Sequence, residues 1–250
     1  MLLRGVAAAP LEPTGRAARV ACLIISPFIT RMSDEIDREL EARPFDITLP
    51  TNGGVSFVLC GASRSGKTTL LKYLYRTYFK KHITTMFSLN TQAAIYKDLS
   101  SKTIVCPEFL PELLDEMHSI NVKTDNKFPF LVISDDYVGG RIKNDEQITR
   151  LLTVYRNAGM SSIFSFQGRT LLNPVGRQNA NYICILKQQT PHDWTNVIKE
   201  FLDMWLPMNM TMPEKIRYCM AATEDHQMFV IDNINGCAFI SKLSRAQAGV

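Results

Sequence analysis

The chain has 250 residues, 46% hydrophobic and 21% charged, which suits a single α/β core and excludes a disordered or membrane-embedded protein. The formal net charge of +4 permits a nucleic-acid partner without arguing for one. Six scattered cysteines with no CxxC pair exclude a zinc ribbon or a disulfide framework and point to reduced thiols in an intracellular compartment.

Residues 1–50 read as an N-terminal extension. Its first twenty residues are rich in Ala, Pro, Gly and Arg and read as a mobile arm rather than a leader. The segment SDEIDRELEA, capped by Ser33, predicts one helix over 33–42. The apolar stretch VACLIISPFI is far short of the ~20 residues of a membrane span. Residues 51–190 alternate strand and helix patterns, as a mostly parallel sheet with flanking helices requires. VSFVLC predicts the first strand and LLKYLYRTYFKK the first helix. HITTMFSL predicts a strand, AAIYKDL a short helix and KTIVC another strand. Pro111 opens a helix through PELLDEMHSI. FPFLVIS is continuously apolar, as expected of a central strand buried on both faces. Asn144 caps the next helix, with Gln147 at the capping-box position and a stripe at Ile148, Leu151, Leu152 and Tyr155. SSIFSFQ and NYICILK predict two more strands. Residues 191–250 carry two helices, the first capped by Thr190. A β-hairpin then pairs MFVID with CAFIS around a two-residue turn at Asn235-Gly236.

Between the first strand and first helix stands Gly61-Ala62-Ser63-Arg64-Ser65-Gly66-Lys67-Thr68, followed by Thr69. This is the P-loop pattern. A strand feeding a glycine-rich turn into a helix aims backbone N–H groups at a polyphosphate, so the chain is expected to bind ATP or another nucleoside triphosphate. Lys67 is expected to reach the β- and γ-phosphates, and the Thr68 hydroxyl to ligate Mg²⁺. Asp135 and Asp136 end the buried strand. Asp135 is assigned to magnesium, and Asp136 to orienting or deprotonating the attacking water. Gln167 ends the next strand, where an amide can contact the γ-phosphate or the water. Arg156 closes the intervening helix and is a candidate to act in trans on a neighbouring subunit; Arg169 and Arg177 are rivals, and a cation at a helix C-terminus needs no function.

GASRSGKT, then FPFLVISDD, then YRNAGMSSIFSFQGRTLLNPVGRQNANYICILK resemble the FtsK/HerA-type motor ATPases. Within that superfamily the compact size and double aspartate look most like the poxvirus-type genome-packaging ATPases of large DNA viruses and virophages. The resemblance covers about residues 52–190. It implies an additional-strand catalytic-glutamate (RecA-like) P-loop NTPase fold, with one more strand between the P-loop strand and the Asp135 strand. It also implies a homo-oligomeric ring around double-stranded DNA, driving the genome into a capsid with a capsid or portal protein as partner. Such a motor works in host cytoplasm or at a viral assembly site, at times virion-associated, and needs no membrane. Cellular relatives often carry Glu where this chain has Asp136, one methylene shorter. A nucleoside or small-molecule kinase, a cellular or mobile-element DNA pump and a nucleotide-gated scaffold are the alternatives.

Phosphate contacts to DNA are expected from Arg141 and Lys143 on the glycine-flexible loop YVGGRIKN, although two basic residues on a loop are unremarkable. Lys72, Arg76 and Lys80 form a stripe on the first helix that also reads as a solvated face. Trp194 and Trp205 read as core or interface.

Overall fold

A computed structural model describes residues 40–88, 99, 103–135, 146–167 and 174–249. One sheet of eight strands organises the chain, formed by β1 (Ser56–Cys60), β2 (Ile83–Phe87), β3 (Thr103–Cys106), β4 (Phe130–Asp135), β5 (Met160–Phe166), β6 (Tyr182–Ile185), β7 (Met228–Asp232) and β8 (Cys237–Ser241). Their order is β3-β2-β4-β5-β1-β6-β7-β8. The first six run parallel, while β7 pairs antiparallel with β6 and with β8.

Alternate residues of the apolar runs serve opposite faces, because side chains alternate across a strand. Phe57, Leu59, Leu131 and Ile133 pack on one face with Leu70, Leu71 and Leu74 of helix α1 (Lys67–Leu74). Val58, Cys60, Phe130 and Val132 pack on the other. That second face carries α2 (Pro111–Lys123) and α3 (Glu146–Arg150). Short α4 (Pro174–Asn179) precedes β6, and α5 (Pro191–Val197) and α6 (Met212–Ala222) lie between β6 and β7. A last helix, α7 (Arg245–Ala248), follows β8. Thr190 caps α5 as its sequence indicates, its side chain accepting from the Asp193 N–H at 3.1 Å.

Several expectations change. The helices beginning with α1, α3 and α5 widen into π-helical turns at Tyr75–Phe79, Leu151–Tyr155 and Ile198–Leu202. The hairpin turn has four residues, not two. Asp232 and Cys237 are register partners, and the Asp232 carboxylate accepts from the N–H groups of Ile234 and Asn235, both at 3.0 Å. This side-chain cap holds the wider loop. The predicted 33–42 helix does not include its last residues: Ala42 bridges Ile240, and the Ile240 N–H donates to the Glu41 carbonyl at 2.9 Å. The sheet edge offers this segment backbone partners that a terminal helical turn would leave in water. Phe45 and Ile47 then bury themselves beside α1. The start of the 33–42 helix, most of the AAIYKDL helix and the Asn144 cap lie outside the described residues. Among the described residues, no helix is long and apolar enough to cross a membrane.

Candidate functional site

The P-loop leaves the sheet between β5 and β6. The Gly61 N–H donates to the Phe166 carbonyl at 3.1 Å, and the Ala62 N–H to the Lys187 carbonyl at 2.9 Å. The turn then needs unusual backbone: Arg64 has φ 63° and Gly66 has φ 102°, the latter directly before α1. Glycine removes the cost at Gly66. Gly61 is required for space, since a methyl there would lie 2.6 Å from Ser65 Oγ and 2.9 Å from Leu186 Cβ.

Lys67 is only 5% exposed. Its ammonium donates to the carbonyls of Gly61 at 2.8 Å and Ala62 at 2.9 Å, which holds a positive charge across the loop. The buried Ser65 hydroxyl has no hydrogen-bond partner among the described residues. A buried polar group in that state suits a ligand. Thr68 and Thr69 are half-buried in the first helical turn, while Ser63 and Arg64 are exposed. The loop therefore offers a cradle, a fixed cation and oriented helix N–H groups, a chemistry made for polyphosphate.

Asp135 is the last residue of β4 and is 6% exposed. It stands level with Ser165 of β5, itself level with Leu59 of β1. Two strand spacings, about 10 Å, thus separate Asp135 from the P-loop strand. Gln167 follows β5 directly, on the strand next to Gly61, and is exposed. Lys67, Thr68, Asp135 and Gln167 accordingly gather at the C-terminal end of the central parallel strands. The Thr68 hydroxyl and Asp135 carboxylate are hard oxygen donors that fit Mg²⁺, an ion that completes its shell with water and phosphate. Among the described residues, no cluster of three or more His, Cys, Asp or Glu side chains forms a metal cage.

Arg156 and Arg177 sit elsewhere. The Arg156 carbonyl accepts from the Gly54 N–H at 2.7 Å, which places it at the N-terminal end of β1. Its guanidinium donates to the Asn179 carbonyl at 2.6 Å. Arg177 pairs with Glu200 at 2.9 Å. From Gly54 to Gly61 the extended chain runs about 23 Å, so Arg156 reaches no phosphate on its own chain's P-loop. Asp136, Arg141, Lys143 and Arg169 lie outside the described residues.

Sequence reading passed over three neighbours of the loop. Gln188 is 3% exposed beneath it, donating to the Leu186 carbonyl at 2.8 Å. His226, at φ 61°, stands beside Gly66. Neither carried more signal than an amide after a strand or a lone histidine. Cys60 is buried, and desolvation pushes its thiol up to about 12 although Lys67 opposes the shift, so it stays a neutral core group.

The inserted strand β5 decides the architecture. The chain has a P-loop NTPase fold. No family's sequence model and no curated protein matches it. Solved structures do. The DNA-packaging ATPase B204 of Sulfolobus Turreted Icosahedral Virus superposes with a TM-score of 0.55 at 17% identity, covering 78% of this chain and 100% of B204. B204 of Sulfolobus turreted icosahedral virus 2, a genome packaging NTPase solved with AMPPCP, gives 0.52 at 18% identity over 78% of this chain and 100% of its own. The conjugation coupling protein TcpA of pCW3, solved with ATPgS, gives 0.56 at 11% identity over 87% of this chain and 70% of its own. These neighbours agree in fold with the FtsK/HerA-type resemblance read from the P-loop, the aspartate pair and the Gln167 strand.

Proposed function

We propose that this chain is an ATP-hydrolysing motor subunit that moves double-stranded DNA, and that it packages a viral genome into a capsid. The observation that carries the reading is the strand order, which seats β5 and its Gln167 between the P-loop of β1 and Asp135 of β4. That arrangement suits water as the nucleophile and favours a motor over a kinase.

In this reading the loop N–H groups and Lys67 hold the triphosphate, and Thr68 and Asp135 hold Mg²⁺. The ion would neutralise charge between the β- and γ-phosphates. Asp136 takes a proton from the water that attacks the γ-phosphorus, as the bond to the bridging oxygen of ADP breaks. Gln167 contacts the γ-phosphate or that water and so registers its loss. A ring of identical subunits lets Arg156 reach a neighbour's site, with Arg177 and Arg169 as the alternative donors. Arg141 and Lys143 follow the catalytic carboxylates closely in sequence, which supports them as DNA-phosphate contacts. A capsid or portal protein is the further partner, and the site of action is the host cytoplasm or a viral assembly site.

Steady-state ATP hydrolysis with and without long double-stranded DNA at low salt tests the reading. DNA should stimulate turnover several-fold, Lys67→Ala should abolish it, and Asp136→Asn should bind ATP without hydrolysing it. Turnover indifferent to DNA and to capsid protein would count against translocation.

A further inference from the structure

The solvent side of the P-loop helix is basic from end to end. Lys67, Lys72, Arg76, Lys80 and Lys81 fall within residues 67–81, and no acidic residue stands among them. Leu70, Leu71, Leu74, Tyr75 and Phe79 turn into the core, which leaves Arg76, Lys80 and Lys81 exposed and Lys72 half-buried on the other side. The nucleotide site uses only Lys67 of these.

Helix geometry sets these cations in a row. In an α-helix a step of four residues over-rotates by about 40°, so Lys72, Arg76 and Lys80 would wind around the axis. Here the helix widens into the π-helical turn at Tyr75–Phe79. A wider turn rotates less per residue and takes that drift back. Lys72, Arg76 and Lys80 thus follow one line about 12 Å long.

The C-terminal segment extends the line. Helix α7 lies against α1: the Gln247 amide donates to the Tyr73 hydroxyl at 3.0 Å, and Arg76 Nη1 is 3.3 Å from where a methyl on Gly249 would stand. Lys242 and Arg245, both exposed, come with it and line a cleft that reaches Thr69 in the first turn of α1. Cations therefore run from the P-loop end of α1 to Lys80 and Lys81 at its far end. The Asp46 carboxylate lies close enough to act on Tyr78 and offsets one of these charges.

Stiffness and charge spacing choose the partner. Duplex DNA carries one charge per ~1.7 Å of its axis, both strands counted, so about seven pass in 12 Å. The duplex is straight over that distance, and a fixed basic row meets it without ordering either side first. An acidic peptide must give up chain entropy to present its charges in a line.

We propose that the outer face of α1, flanked by Lys242 and Arg245, is a sequence-indifferent docking track for the phosphate backbone of double-stranded DNA. The inference rests on the DNA-moving reading above and adds α1 to Arg141 and Lys143 as a source of phosphate contacts. Lys67 opens the same helix, so a duplex held along it lies on the element that holds the nucleotide phosphates.

Fluorescence anisotropy of the full chain with two duplexes of unrelated sequence, over a salt series, tests this. The track variant Arg76→Gln/Lys80→Gln/Lys81→Gln removes three exposed charges from α1, and Lys123→Gln/Lys127→Gln/Lys199→Gln removes three exposed charges elsewhere. The track variant should bind both duplexes about tenfold more weakly, and its slope of log affinity against log salt should be shallower by about two to three. Its ATP affinity and melting temperature should match wild type, and Arg76→Lys/Lys80→Arg/Lys81→Arg should bind duplex as wild type does. Adding Lys242→Gln and Arg245→Gln to the track variant should flatten the slope further. An equal loss in the Lys123 set would overturn the track and leave net charge as the cause. Unchanged duplex binding in the track variant would overturn it too, and a loss of polyglutamate binding there would reassign the face to an acidic protein. Wild-type protein that binds neither duplex, with or without ATP, would overturn the DNA reading itself, and this one with it.

Discussion

Arg156 donates to the Asn179 carbonyl at 2.6 Å, at the end of the sheet opposite Lys67. The same guanidinium lies 3.5 Å from Asn181 Oδ1, which accepts from the Ser56 N–H at 2.9 Å. Arg156 therefore ties the end of the α3 helix to the segment before β6 and the start of β1, whatever it does in an assembly.

Two roles for Arg156 separate cleanly. Arg156→Ala should lower folding stability by about 1 kcal/mol, the scale of a half-buried charge-assisted hydrogen bond, read by urea denaturation. If it also acts in trans, a homogeneous Arg156→Ala assembly loses turnover. Mixing it with Lys67→Ala subunits should restore part, because each variant supplies what the other lacks. Stability loss without complementation would leave Arg156 a tether only.

Lys67 is buried, and its ammonium donates to the carbonyls of Gly61 and Ala62. Lys67→Ala should weaken ATP binding by about tenfold to a hundredfold, as expected for removing a charge-assisted phosphate contact. Equilibrium dialysis reads this directly, and retained affinity would remove the loop from nucleotide binding.

The two P-loop glycines should fail for different reasons. At Gly66 a methyl finds room but φ is 102°, so Gly66→Ala costs about 1–2 kcal/mol of backbone strain. At Gly61 the obstacle is Ser65 Oγ at 2.6 Å and Leu186 Cβ at 2.9 Å. Ser65→Ala should rescue part of the melting-temperature loss of Gly61→Ala and none of that of Gly66→Ala.

Burial pushes the thiols of Cys60, Cys184 and Cys219 up to about 12 from an ordinary value of 9.0. The folded state keeps these protons longer than the unfolded chain does. Their contribution is therefore complete below about pH 9 and is lost progressively as pH rises toward 12. Alkaline titration followed by circular dichroism should show the loss. In native protein at pH 8, Cys237, half-buried, should alkylate before the other four described cysteines, which are buried.

Much of the sheet was legible because its strands are buried on both faces. A continuous run such as Phe130 to Ser134 reads as a central strand from local composition alone. The P-loop was legible for the same local reason: glycine, lysine and threonine act within one turn. The hairpin was half-legible. Its two strands read as short apolar runs, but the turn width depends on the Asp232 carboxylate reaching forward to Ile234 and Asn235.

Local sequence by itself determined the α/β class, the phosphate-loop pattern and which polar residues end β4 and β5. Only tertiary structure decided which strands are neighbours, because seating β5 between β1 and β4 joins residues about a hundred positions apart on one side and about thirty on the other, through backbone bonds that any sequence can make. Long-range contacts also place Arg156 at the end of β1 opposite Lys67, and the pairing of β7 with β6 and β8 brings His226, Leu243 and Ala248 beside Gly66. None of these side chains has a periodic or spaced pattern that betrays its place in the fold.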